Sequence, residues 1–126
     1  MGTKTKGSTA ERELVHLLWA KGFAAVRVAG SGSTSFPAPD VLCGKNGRVI
    51  AFECKSVSEG VRYIPKAEIT QLQEFSKTFG AECFLAVRYN RKEWHFLLVD
   101  EIKDKATLKL SVDEIKLKGL LLDEII

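Results

Sequence analysis

Asp40, Glu53 and Lys55 lie on either side of Asn46-Gly47, a strong two-residue hairpin signal flanked by apolar runs. Asp40 stands seven residues before Gly47 and Glu53 six after it, so a hairpin turning there can bring the two carboxylates opposite each other on neighbouring strands. Side chains alternate along a strand, which puts Glu53 and Lys55 on one face and Cys54 on the other. Two close carboxylates repel each other and favour a bound divalent cation. Magnesium takes oxygen ligands and keeps several waters. Bound there, it can polarise a phosphate and lower the pKa of an attacking water. Lys55, one pleat along, adds a point charge suited to a phosphate oxygen. The chemistry open to this trio is metal-assisted hydrolysis of a phosphate ester.

Glu-x-Lys is a common triplet, and the same residues also fit a salt-bridged hairpin facing solvent. Context favours a site. Val49-Ile50-Ala51-Phe52 is nearly continuously apolar, the pattern of a central strand buried on both faces. Such a strand ending abruptly in Glu-Cys-Lys places charge at a sheet edge or cleft. Glu11 adds a third carboxylate. Leu14, Val15 and Leu18 follow it at helical spacing, so Glu11 lies on an apolar stripe and points inward. Its alternative role is to complement a helix dipole from the first turn, which Glu13 on the other face could do equally well.

Positioning these groups requires a sheet with helices packed on it. Ser8 or Thr9 can cap a helix running to about Lys21, stopped by Gly22, with Leu14, Val15, Leu18 and Trp19 as its stripe. Phe23 to Ala29 reads as a short strand. Gly30 to Pro39, rich in Gly, Ser and Pro, is a loop, either functional or a plain connector. Asp40 to Cys43 begins one hairpin arm and Arg48 to Val57 forms the other. Pro65 to Phe79 is a helix ended by Gly80, with Pro65 suited to the first turn. Ile69, Leu72, Gln73 and Ser76 give it a mixed face, to which Phe75 and Phe79 add apolar area. Cys83 to Tyr89 and Trp94 to Val99 are strands joined by Asn90-Arg91-Lys92. The remainder is short and amphipathic. The order is that of one α/β domain over 1–126, with a mixed sheet flanked by helices.

A chain of 126 residues can bury a core of its own, and 45% hydrophobic with 28% charged residues is globular composition rather than disorder or a membrane class. The net charge of +3 permits nucleic-acid binding without arguing for it. Lys4 and Lys6 sit in a stretch, 1–7, that reads as a flexible basic arm or a solvated tail. Cys43, Cys54 and Cys83 have neither the number nor the spacing of a disulfide framework or zinc knuckle. Free thiols in apolar runs suit a reducing compartment. With no signal peptide and no apolar stretch of membrane-spanning length, the expected location is the cytoplasm.

The residues around the trio carry a more specific signal. Ala10-Glu11-Arg12-Glu13-Leu14, then Gly22-Phe23-Ala24 and Val26-Arg27, a Ser/Gly loop, Pro39-Asp40 and Glu53-Cys54-Lys55 together resemble the archaeal Holliday junction resolvases of the PD-(D/E)xK nuclease superfamily. The resemblance extends to about Val99 and is strongest in the first half. It implies a restriction-endonuclease-like fold and a homodimer. It also implies an endonuclease of DNA recombination and repair that makes paired magnesium-dependent cuts, with manganese as a substitute, in opposed strands of a four-way junction. Glu11, Asp40 and Glu53 would be the acidic metal-site residues, Lys55 the catalytic lysine, and the Cys54 backbone carbonyl a further metal ligand. Ser31 matches a serine needed for cleavage, although Ser33 and Ser35 share its loop and turn chemistry would also explain it. Arg12 and Arg27 match phosphate contacts. Lys4, Lys6, Lys45, Arg62 and Lys66 are further basic candidates, as ordinary surface residues would also be. Glu68, early in the second helix, is a weaker candidate for the site.

A two-fold dimer presents two identical sites to a junction that is itself nearly two-fold symmetric. The apolar C-terminal segment could supply dimer surface or pack within the chain. Other nuclease substrates, such as linear or flapped duplex, and a non-catalytic junction-binding role are the alternatives.

Overall fold

Asn46 and Gly47 adopt φ of 49° and 87° in the computed structural model, which describes residues 2–30, 35–58, 60–99 and 107–126. Positive φ at both central residues is what a tight two-residue hairpin requires. The turn joins β2 (Val41–Lys45) to β3 (Arg48–Val57). The two strands pair antiparallel from Lys45 opposite Arg48 to Val41 opposite Phe52. β1 (Ala24–Arg27) adds antiparallel to β2, β5 (Glu82–Tyr89) runs parallel to β3, and β6 (Glu93–Leu98) returns antiparallel to β5. The sheet order β1-β2-β3-β5-β6 puts β3 at the centre. Ile50, Ala51 and Phe52 are wholly buried, as their continuous apolar run predicts.

Each face of β3 meets a different layer. Ile50 and Phe52 pack with Phe84 and Phe96 against Ala10, Leu14 and Leu18 of α1 (Gly2–Ala20). Ala51 and Val57 pack against Ile69 and Leu72 of α2 (Lys66–Phe79). Beside α2 lie a two-stranded sheet of β4 (Val61–Pro65) and β7 (Thr107–Ser111), followed by α3 (Val112–Lys118). These contribute Ile64, Leu108, Leu110 and Ile115 to the same layer. The C-terminal segment packs within the chain. Leu120 exchanges two 2.8 Å backbone hydrogen bonds with Phe96, and Ile125 of α4 (Leu122–Ile125) is buried in the α1-side core.

Several expectations are corrected. α1 begins at Gly2, not at Ser8 or Thr9, so the backbone of residues 2–7 continues the helix where a flexible arm was expected. Glu11 therefore lies well beyond the first turn, which removes the helix-dipole role. Trp19 is 57% exposed and only its indole Nε1–H is tied down, donating to the Ala25 carbonyl at 2.9 Å. Pro65 flanks α2 as its N-cap and closes β4. β4 and β7 match no expected strand. Each is five residues long, and each finds its partner far away in sequence.

Glu13 is not on a wet face. Glu11 and Glu13 occupy the two shoulders of the Ala10–Leu14–Leu18 line. Because α1 crosses the sheet, each shoulder meets a different edge of it. Glu11 accepts from Arg27 of β1, whereas Glu13 accepts from Arg88 Nη2 of β5 and Trp94 Nε1 of β6, both at 2.7 Å. Glu13→Ala leaves a largely buried guanidinium and an indole N–H without this acceptor. The expected cost is about 1–3 kcal/mol, read as a lower urea midpoint at unchanged slope, with Glu13→Gln recovering part of it through the Trp94 bond.

Candidate active site

The paired register ends with Val41 opposite Phe52, and Asp40, the residue just before β2, lies close enough to Glu53 for its charge to act on that carboxyl. Asp40 is held there through both backbone and side chain. Its N–H donates to the Phe52 carbonyl and its carbonyl accepts from Val28, both at 2.9 Å. Its Oδ2 accepts from the Cys54 N–H at 2.8 Å. Glu53 and Lys55 follow Ala51 on the α2 side of β3, with Lys55 Nζ 3.6 Å from Glu53 Oε2. Cys54 packs on the α1 side, against the Phe52 core.

The electrostatics of the pair are unfavourable without a counter-charge. The Glu53 side chain is 17% exposed. Burial first, and then the neighbouring Asp40 carboxylate, push its pKa up to about 8, against the opposing pull of Lys55. Glu11 joins from α1. Burial and the Asp40 charge raise its pKa, while a 3.1 Å hydrogen bond and ion pair with Arg27 and the more distant Arg12 pull it back. Asp40 thus lies within electrostatic reach of both Glu11 and Glu53, as the inward placement of Glu11 predicts.

This donor set suits a hard divalent cation. Oxygen ligands are present, and the buried Glu53 carboxylate lacks enough positive charge to hold it ionised at neutral pH. Among the described residues, no three His, Cys, Asp or Glu side chains already form a tight ligand cluster. The acidic core of the site is therefore the Asp40–Glu53 pair, with Glu11 behind it.

Glu68 proves closer to the chemistry than its sequence position suggests. From the first turn of α2 its Oε1 contacts Lys55 Nζ at 2.6 Å. No sequence pattern pairs these residues; the contact depends on how α2 is laid over β3. Arg27 faces inward, its Nε on Glu11 and its Nη2 3.3 Å from Ser8 Oγ. Arg12 and Lys66 are exposed. Lys45, also exposed, has its ammonium over the Phe23 ring at 5.7 Å, and Arg62 donates to the Ser56 carbonyl at 2.8 Å. Ser31 and Ser33 lie outside the described residues, as do the side chains of Lys4 and Lys6; Ser35 is exposed. The three cysteines are free. Burial raises the Cys43 thiol to about 11, and burial with the surrounding carboxylates raises Cys54 well above its usual value. Neither thiol is poised as a nucleophile.

The raised Glu53 pKa fixes the sign of a stability effect. The folded chain holds this proton up to about pH 8 and the unfolded chain releases it near the ordinary 4.5. The group's contribution is therefore fully present below pH 4.5 and is lost as pH rises towards 8. In metal-free buffer, the melting temperature of Glu53→Gln should exceed that of the parent by several degrees at pH 8, with the gap closing towards pH 5. A constant gap between those pH values would mean that Glu53 is ionised throughout.

Comparison with known proteins shows the family of the chain. A model of the family described as archaeal Holliday junction resolvase (Hjc) matches residues 2–126. The chain is 40% identical over 111 residues to the crossover junction endodeoxyribonuclease Hjc of Archaeoglobus fulgidus, covering 88% of this chain and 81% of that one. It is 43% identical over 105 residues to the Hjc of Sulfolobus acidocaldarius, covering 82% and 73%. The solved structure of the A. fulgidus Hjc, a Holliday junction resolvase from an archaeal hyperthermophile, matches with a TM-score of 0.82 at 38% identity, over 91% of this chain and 94% of that one. The mixed sheet and its flanking helices are thus the expected restriction-endonuclease-like fold. Fold and sequence similarity converge, and the chain belongs to the archaeal Holliday junction resolvase family.

Proposed function

We propose that this protein is an endodeoxyribonuclease that resolves four-way DNA junctions in recombination and repair, making paired magnesium-dependent cuts in opposed strands as a homodimer. The observation that carries the reading is the half-buried Asp40–Glu53 pair with Lys55 3.6 Å from Glu53, on a chain of this family. Asp40, Glu53 and the Cys54 backbone carbonyl would hold the cation, with Glu11 adding negative charge from α1. Manganese would substitute. A cation bound there supplies Lewis acidity towards the phosphate and a lowered pKa for an attacking water.

The chain's own groups do the rest. Asp40 is fixed through the Cys54 N–H, so its carboxylate keeps a constant direction. Lys55 offers its ammonium to the negative charge that builds on the phosphate oxygens as the bond breaks. Arg12, exposed beside Glu11, contacts a backbone phosphate. Arg27 holds Glu11 in place and presents the rest of its guanidinium towards the same strand. A serine of the 30–39 loop, Ser31 by preference, assists cleavage. Free thiols and the absence, among the described residues, of any helix long and apolar enough to cross a membrane fit a cytoplasmic enzyme.

The dimer surface best supported lies on the outer side of α2. Phe79 is 54% exposed and stacks on Phe75 with ring centroids 5.0 Å apart. Pro37, Glu74, Phe75, Thr78 and Phe79 line a cleft of about 350 Å³, and Phe36 beside it is 77% exposed. Exposed aromatics gathered in this way mark an interface, and a near two-fold substrate calls for a second copy of the chain across it.

Three experiments test the reading. With magnesium, the parent chain should cut a synthetic four-way junction at symmetric positions and spare the matching linear duplex. Asp40→Asn and Lys55→Ala should bind the junction within about twofold of the parent yet lose cutting by at least about a thousandfold. Duplex cutting at a similar rate would leave a general nuclease, and tight binding with no magnesium-dependent cutting would leave a binding module. Arg12→Ala should weaken binding and flatten the salt slope by about one phosphate contact. For the dimer, Phe79→Glu should shift the sedimenting species from dimer to monomer and uncouple the paired cuts; an unchanged dimer places the interface elsewhere.

A further inference from the structure

Lys55 sits between two carboxylates of unequal reach. Its ammonium lies 2.6 Å from Glu68 Oε1 on α2 and 3.6 Å from Glu53 Oε2 on its own strand. The Lys55 side chain is 10% exposed and that of Glu68 is 37% exposed, so the ammonium is enclosed while its α2 partner borders solvent. A lysine has a flexible four-carbon stem and donates in three directions. Beside the half-buried Glu53 and Asp40 carboxyls, an ammonium without Glu68 would close up the longer, 3.6 Å ion pair it already makes with Glu53. It would then occupy the oxygens that a cation needs. The contact with Glu68 draws it the other way.

We propose that Glu68 is a positioning residue that acts through Lys55, holding the ammonium off the Glu53 carboxylate so that Glu53 stays open to a divalent cation. The inference rests on the nuclease reading of the site but concerns a residue outside the Asp-Glu-Lys trio. The placement follows from the fold. Pro65 ends β4 and flanks the first turn of α2, and Ile69 and Leu72 bury the inner face of that helix against the α2 side of β3. Glu68, immediately before Ile69, is thereby carried over the end of β3 where Lys55 stands. The length of the Glu side chain matters, because the carboxylate must span from helix to strand.

The test is manganese binding to the DNA-free protein, followed by electron paramagnetic resonance, in four chains: the parent, Glu68→Ala, Lys55→Ala and the double variant. Glu68→Ala should weaken manganese binding about fivefold in the parent background and leave it unchanged in the Lys55→Ala background, since the effect passes through Lys55. Glu68→Gln, which keeps an acceptor for the ammonium, should recover part of the loss. Single-turnover junction cutting should slow in Glu68→Ala while the junction Kd and the melting temperature stay near the parent values. Equal weakening in both backgrounds would show Glu68 acting by its own charge and overturn the proposal, as would parent-like manganese affinity in Glu68→Ala. The manganese arm reads Glu68 whether or not the parent cuts junctions, so failure of the resolvase reading and failure of this inference are distinguishable.

Discussion

Asp40 and Glu53 are two carboxyl groups held close together, Asp40 by hydrogen bonds to the Phe52 carbonyl and the Cys54 N–H of the strand that carries Glu53, and they cannot separate without disturbing a buried hairpin. That register is pinned from two directions. The Asn46-Gly47 turn sets the pairing, and the two faces of β3 pack against different helices, so a one-residue slip would turn Phe52 out of one core and Ala51 out of the other. The packing that stabilises the domain also holds the two carboxylates together. Glu53 consequently retains its proton far above the ordinary range, and the site is unfavourable until positive charge reaches it.

The surrounding layers supply part of that charge, each from its own side. α1 crosses the sheet on the line of Ala10, Leu14 and Leu18, and its two acidic shoulders grip opposite edges: Glu11 takes Arg27 of β1, and Glu13 takes Arg88 and Trp94 of β5 and β6. With the Ala10–Leu14–Leu18 line against the sheet, Glu13 and Glu11 fall on opposite sides of it, and Glu11 comes within reach of the Asp40 charge. On the other side α2 brings Glu68 to Lys55. The site therefore lies where one end of β3 is approached by helices from both faces of the sheet.

α2 has three distinct sides, and each meets something different. Ile69 and Leu72 bury it against the sheet, Glu68 reaches into the site, and Phe75 with Phe79 forms an exposed aromatic surface. A partner seated on that surface would press on the same rigid element that carries Glu68. In the proposed dimer, assembly and the geometry around Lys55 are thus mechanically linked through one helix.

The local parts of this protein were legible in its sequence. The hairpin, its register from Val41 to Phe52, the central strand Arg48–Val57, the nearness of Asp40 to Glu53, the sharing of one face by Glu53 and Lys55, and the inward placement of Glu11 all follow from turn chemistry and from side-chain periods of two and 3.6. Such rules act over a few neighbouring residues, so the sequence alone is enough to apply them. What depended on distant segments was not legible. β4 and β7 are too short to declare themselves and exist through pairing with each other. Leu122, Ile125 and Ile126 could as well have faced a partner as the core they join. Glu13 looked like a solvent-facing acid until α1 was laid across the sheet, and Glu68 looked incidental until α2 was placed over β3. Periodicity says which residues share a face of one element. Only tertiary packing decides which face of another element they meet.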